Sequence, residues 1–297
     1  MEMKRKNFSI GEQLTGSMFI LPALFFLIIF LILPACLAVG YSFFNYNMLK
    51  PQSKEFIGLL NYIDVFKDPS FYKVLGNTIY FVITVVPLQT IVALLLAILV
   101  NKKVATSKFA RLCFFAPVVT SMVVISLLWT ILYNRDNGLI NAILSIFNIP
   151  PQPFLLSEDQ AMNSIIIMSI WQAAGYQMMI FLAGLQDIAQ DFYEAASIDG
   201  ASKFQQFKYI TVPNLKNVIN FVILITTIQA FKLFTQPYVM TNGGPKESTK
   251  TLVYQIYEQG FQYRNVGYSS AMAVIMFVII MVVTFAIKAL LKTEEID

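Results

Sequence analysis

Histidine is absent from the 297-residue chain, cysteine occurs only at Cys36 and Cys113, and charged residues make up 13% of the total. Both cysteines fall in apolar stretches, so they build neither a disulfide framework nor a metal cluster. A soluble domain of this length carries roughly 25% charged residues, so the deficit argues against an ordinary globular protein. No GxxxxGK[ST] phosphate loop occurs, and the chain is not expected to hydrolyse ATP itself. No nucleophile–base pair or metal cluster is visible, so an enzyme is not expected, and no cofactor is expected on this chain. The long apolar stretches hold no Asp or Glu, whereas proton- or sodium-coupled carriers use intramembrane carboxylates or histidines as relays. The paired Gly/Pro interruptions that break the helices of such carriers are not apparent either. The net charge of +4 is mild and follows the loops; no nucleic-acid partner is expected.

What the chain has instead is hydrophobicity, at 57%. Apolar runs of the ~20 residues needed to cross a bilayer as a helix recur along it. They predict six spans, near 15–43, 77–100, 112–133, 161–184, 217–236 and 266–288. Together these form a transmembrane domain over 15–290, flanked by an N-terminal segment 1–14 and a tail 291–297. Helices satisfy their backbone groups internally, which lipid demands. The first run follows Lys4, Arg5 and Lys6 but is too long for a signal core. Leu33-Pro34-Ala35-Cys36 has the look of a lipoprotein box, yet it sits too deep, so no cleavage is expected. Pro22 and Pro34 read as kinks or span-end residues. The outer segments 44–76 and 134–160, with their Pro, Gly and aromatic residues, predict short interfacial helices and turns. Asn61, Asn77 and Asn101 are expected at helix ends or in loops.

Six spans leave both termini on one side. Assigning that side to the cytoplasm places twelve Lys/Arg in 1–14, 101–111, 185–216 and 288–297, against eight in the opposite segments. The bias favours that orientation, and the short 101–111 loop contributes most per residue.

Segment 185–216 is polar but not featureless. Gln190 or Asp191 can begin a helix containing Glu194, Ala195 and Ala196. Gly200 breaks it, since glycine tolerates the positive φ of a tight helix end. Ser202 can cap a second short helix that carries Phe204, Phe207 and Ile210. Pro213 marks the start of the fifth span. Small Ala195, Ala196 and Ala201 allow close approach, and Glu194 projects as a strong acceptor. An ordinary interhelical loop is the plainer reading. Against it, the length, the helical pattern and exposed Tyr193, Phe204 and Phe207 point to partner docking.

The run Glu194-Ala195-Ala196-Ser197-Ile198-Asp199-Gly200-Ala201, then Phe207, Ile210 and Val212-Pro213, resembles the EAA loop of ABC importer permeases. Ala189 and Asn217 depart from the prolines common in that family. The resemblance extends to Phe56-Ile57-Gly58-Leu59-Leu60-Asn61-Tyr62, Asp68, Phe71 and Asn77-Thr78. It extends also to Thr241-Asn242-Gly243-Gly244-Pro245, Ser248-Thr249 and Gly267-Tyr268-Ser269-Ser270-Ala271. These look like the outer loops of the carbohydrate-uptake class of the maltose, glycerol-phosphate and multiple-sugar type. The resemblance implies an all-α, six-span permease of type I ABC importer architecture in the bacterial plasma membrane, with a cytoplasmic coupling helix. It implies a second homologous permease, a cytoplasmic ATPase dimer holding ATP and magnesium, and an extracellular solute-binding protein. By the same resemblance Glu194, Ala195, Ala196, Asp199, Gly200, Ala201 and Phe207 dock the ATPase.

No motif names the solute path. Polar groups inside spans tend to face the bundle interior or a cavity. The fifth span offers Thr226, Gln229 and Lys232 at i, i+3, i+6, and the fourth Trp171, Gln172, Tyr176 and Gln177. Amides and aromatic faces suit a sugar. Interhelical glue, interfacial anchoring of Trp171 and snorkelling of Lys232 are the structural alternatives. The function expected is translocation of a sugar, an oligosaccharide fitting best; the alternative is an ion-coupled carrier working without an ATPase.

Overall fold

The computed structural model describes residues 10–50, 52, 54–102 and 105–291. Most of the predicted N-terminal segment 1–14 and all but the first residue of the tail 291–297 lie outside them. Helices α1 (Ile10–Leu27) and α2 (Leu33–Tyr41) are joined without a break by a π turn over Ile28–Ile32. A two-residue hairpin follows, β1 (Phe44–Asn45) pairing antiparallel with β2 (Glu55–Phe56), the only sheet among the described residues. Then come α3 (Leu60–Lys67), α4 (Pro69–Val100), α5 (Ala105–Val119), α6 (Met122–Leu132), α7 (Leu139–Ile146) and α8 (Ala161–Asp187). The elbow comprises α9 (Gln190–Ile198), α10 (Lys203–Gln206) and α11 (Val212–Asn214). The chain continues through α12 (Lys216–Phe231), α13 (Thr235–Met240), α14 (Leu252–Tyr257) and α15 (Val266–Leu290).

Four helices are long and apolar enough to cross a bilayer unaided: Met18–Tyr41, α4, α8 and α15. Two bent pairs raise the number of candidate spans among the described residues to as many as six. Thr106–Val119 meets Met122–Leu132 at 100°, and Lys203–Asn214 meets Lys216–Phe231 at 67°. Helix breaks are thus present, though not as the paired Gly/Pro interruptions of ion-coupled carriers. Residues 112–133 read as one apolar run because hydropathy does not register a break made of small neutral residues. The break lies at Thr120-Ser121, where Ser121 leaves the helical region (φ −55°, ψ 129°) shortly after Pro117, which has no N–H to donate. The fifth span ends at Phe231 rather than 236, because Lys232 turns out of the helix before α13.

The second span begins at Pro69, ahead of the predicted 77. Asp68 caps it by accepting the Ser70 N–H at 2.9 Å, and Pro69 at the first position has its φ preset. Asn77 thus sits inside α4, not at its end. Asn101 does cap α4, and Asn61 lies in the first turn of α3. The expected short outer helices are α3 and α7.

The chain divides into two compact units, Met1–Lys67 with Gln259–Ile275 and Asp68–Glu258 with Met276–Asp297. In the first, Asn61 Nδ2 donates to the Ser42 and Phe44 carbonyls at 2.8 and 3.0 Å, and the Ser42 and Tyr62 hydroxyls meet at 2.7 Å. The Lys54 ammonium sits 4.7 Å from the Tyr41 ring centre and 4.4 Å from that of Phe44.

The second unit is built on α4 and α8, with α12 and α5 packed against them. Its core is Ala93, Ala97 and Val100 of α4, Ala174, Met178, Phe181, Leu182 and Leu185 of α8, with Leu215 and Val222. Lipid is as apolar as leucine, so close packing rather than water exclusion holds such a core. The small residues are what permit it. At Gly175 a Cβ would lie 2.1 Å from the Phe114 carbonyl oxygen, so the α5–α8 crossing exists only because that position is glycine.

Candidate functional site

The elbow folds by local rules. Asp191 in the first turn of α9 complements the helix dipole. At the other end Ala201 N–H donates to the Ala196 carbonyl at 2.9 Å and Gly200 N–H to the Ser197 carbonyl at 3.2 Å, a Schellman closure. Gly200 supplies the required left-handed residue at φ +79°. Ser202 and Gln205 then form the reciprocal capping box that starts α10, at 3.3 and 2.7 Å. Buried Gln206 ties the two pieces together, donating to Ser197 Oγ at 2.9 Å and the Ala201 carbonyl at 3.3 Å.

These ties leave α9 with no buried residue. Glu194, Ala195, Asp199 and Gly200 are exposed, while Ala196, Ala201 and Phe207 are half-buried. Glu194 carries no hydrogen bond or ion pair among the described residues. The exposed apolar side chains are Phe192 (56%), Ile198 (87%) and Phe204 (72%). Tyr193, expected among them, is half-buried: its hydroxyl meets Thr211 Oγ1 at 2.9 Å and pins α9 to the following π turn. Phe207 likewise turns into a cleft of about 410 Å³ against Ile98 and Asn101 at the end of α4. The elbow and the 101–111 loop therefore share one end of the molecule.

Toward the other end, a cavity of about 480 Å³ opens between α4, the α5–α6 bend, α8 and α12. Five of the seven residues offered for the path line it, Gln172, Tyr176, Thr226, Gln229 and Lys232, and Gln177 lines only its small extension. Trp171 does not. Its ring packs 5.5 Å from Trp129, which in turn lies 5.1 Å from Tyr133, so it belongs to an aromatic ladder between helices. The bend of the third span brings Val118 and Met122 to the cavity wall, and Gln172 Nε2 reaches the Pro117 carbonyl at 3.4 Å.

A small extension of about 120 Å³ is ringed by Gln89, Gln172, Gln177, Gln229 and Thr226. Gln177 Nε2 donates to the Thr226 hydroxyl, which itself donates to the Val222 carbonyl. The Gln177 Oε1 and the Ser169 Oγ are buried without a hydrogen-bond partner. Ser169 lines the main cavity. Sequence reasoning missed Gln89, Ser169 and the Phe234 ring. Gln89 was detectable, being an amide amid a long apolar run, the same signal that marked Gln172 and Gln229.

Beyond the cavity the loop 241–251 is anchored on α4. Asn77 Nδ2 donates to the Glu247 and Lys250 carbonyls at 2.8 and 2.9 Å, and the Leu252 N–H donates to Thr78 Oγ1 at 3.0 Å. Nearly buried Lys250 pairs with Glu258 at 2.5 Å and Glu247 at 3.1 Å. Burial pulls its pKa down, but the hydrogen bonds it donates to both carboxylates, with their negative charge, outweigh that and hold it above the ordinary lysine value.

Residues 89–293 match the family described as binding-protein-dependent transport system inner membrane component. A probable ABC transporter permease protein of Bacillus subtilis, YurN, is 36% identical over 94% of this chain and 96% of its own length. The trehalose/maltose transport system permease protein MalF of Thermococcus litoralis is 34% identical over 91% of each. In fold, the chain is similar to a bacterial ABC transporter involved in import of the acidic polysaccharide alginate. That likeness has a TM-score of 0.83 at 21% identity, over 95% of this chain and 96% of the other.

Proposed function

The chain belongs to the binding-protein-dependent transport system inner membrane components, as a multi-pass ABC importer permease, and we propose that its cargo is a neutral oligosaccharide. The observation that carries this is the lining of the cavity. Gln89, Gln172, Gln229, Thr226 and Ser169 offer donors and acceptors, Tyr176 and Phe234 offer ring faces, and no carboxylate is present. Amides and hydroxyls match sugar hydroxyls without demanding a charge, and ring faces cover the apolar side of a pyranose. One cation, Lys232, stands at the rim, too little for a phosphorylated cargo. The trehalose/maltose relative supports the same class.

In this reading an extracellular binding protein delivers the sugar to this cavity, which opens toward a second homologous permease. The α9–Gly200–α10 elbow sits in a cytoplasmic ATPase dimer, where ATP and magnesium are bound. Both termini are cytoplasmic, on the side of the elbow and the 101–111 loop. Closure of the ATPase pair moves the elbow, and α12, which follows it directly in the chain, moves the cavity wall. An ion-coupled carrier is disfavoured by the carboxylate-free lining, since the acidic groups and histidines that such carriers use as relays and ligands are missing there.

The test is reconstitution with the partner subunits and the binding protein, measuring sugar uptake and stimulated ATP hydrolysis together. Gly200→Trp should abolish both, because no heavy atom lies within 4 Å of a Cβ there, so the indole would stand where the partner docks. Gln172→Ala with Gln229→Ala should weaken uptake while leaving basal hydrolysis intact. Normal coupling in Gly200→Trp would remove the elbow from the power stroke. Unchanged uptake in the glutamine pair would move the cargo elsewhere.

A further inference from the structure

A groove at the elbow end of the second unit, between α5 and α8, has a chemistry that the transport cycle does not use. It holds about 350 Å³ and is lined by Lys108, Arg111, Leu112 and Phe115 of α5 with Met179 of α8. The four α5 residues fall at i, i+3, i+4 and i+7, a single helix face. Along that face the order is cation, cation, then aliphatic and aromatic, over about 10 Å of helix. The cations lie next to the 101–111 loop and the apolar residues run into the third span. Leu112 is 69% exposed and Met179 40%, so the described residues leave the groove uncovered.

Its charge is also uncancelled. The sequence holds no Asp or Glu from Pro69 to Arg135. Lys108 is exposed and has no ion pair among the described residues. Arg111 is fixed at the rim by a neutral acceptor, donating from Nε and Nη2 to the Val100 carbonyl at 3.2 and 2.8 Å. The guanidinium thus keeps its full positive charge and further N–H donors for another acceptor.

We propose that this groove binds an anionic phospholipid, its phosphate between Lys108 and Arg111 and an acyl chain along Leu112, Phe115 and Met179. Paired cations at the bilayer edge attract acidic headgroups, and an adjoining apolar trough at membrane depth accepts the chain. A soluble phosphate would not need the trough, and a neutral lipid would leave the cations unanswered. The inference is independent of which sugar is carried.

Native mass spectrometry of the intact transporter complex tests it, with phosphatidylglycerol and phosphatidylcholine of identical chains added in turn. Phosphatidylglycerol should be retained selectively. Lys108→Gln, an exposed site that should not disturb folding, should weaken its retention about fivefold. Met179→Trp should fill the trough and reduce retention with both cations intact. Equal retention of the two lipids, or phosphatidylglycerol binding indifferent to both substitutions, overturns the proposal. So does a complex that retains no added lipid, which would mean that another subunit covers the groove.

Discussion

Tyr193 and Lys250 each perform a task that residue type alone conceals. Tyr193 lies in a segment whose aromatics suggest an exposed docking surface, yet its hydroxyl is committed to Thr211. Tyr193→Phe should therefore loosen the elbow by about 1 kcal/mol, the typical net value of one hydrogen bond. Hydrogen exchange across 190–211 should rise while the cavity helices stay protected. Lys250 has its folded pKa raised, so its contribution is fully present below the ordinary lysine value of 10.5 and is lost as pH rises through the higher folded value. The loop clamp should accordingly be insensitive to pH across the neutral range and weaken only in strong alkali. Lys250→Met leaves Glu258 and Glu247 facing each other and should cost about 2 kcal/mol, less than a fully buried pair because Glu247 is half exposed. Thermal unfolding in detergent, scanned with pH, reads both effects. Of the candidate path residues, polarity in an apolar run was enough to pick out Gln172, Thr226 and Gln229, which line the cavity. It could not separate Trp171, because an indole facing another indole and one facing a sugar look alike in sequence.

Among elements, the elbow was the most legible and the third span the least. Caps act over three or four residues, so Gly200 and Ser202 announce the turn and the second helix without tertiary information. The 100° break between α5 and α6 depends on what Thr120-Ser121 and Pro117 do once α8 is packed alongside, and hydropathy reads straight across it because none of these residues is charged. The same crossing gives a sharp prediction. Gly175→Ala adds only a methyl group, but that carbon would meet backbone rather than a yielding side chain. It should destabilise the chain by about 1–3 kcal/mol and reshape the cavity, lowering uptake beyond what the stability loss explains. Ser202→Ala should cost about 1 kcal/mol through the lost cap and free α10 selectively.

For the whole molecule, composition and run length were sufficient for class and span number, because a bilayer accepts so few solutions. The proposed assignment of the sides of the membrane rests on a modest bias in Lys and Arg, and that invites a direct check. Ile198→Cys should react with a membrane-impermeant maleimide only after permeabilisation, and Lys246→Cys in intact cells; Cys36 and Cys113 are first replaced by serine. Reversed labelling would invert the topology. A last consequence follows from α9 having no buried residue. Its exposed side chains Phe192, Glu194 and Ile198 can be rewritten without disturbing the buried core, and the cavity can be rewritten without touching them. If α9 docks the ATPase and the cavity holds the sugar, as proposed above, engine and cargo are specified by separate, exchangeable surfaces of one chain. A lineage, or a designer, could then attach this permease to a different motor while it goes on carrying the same freight.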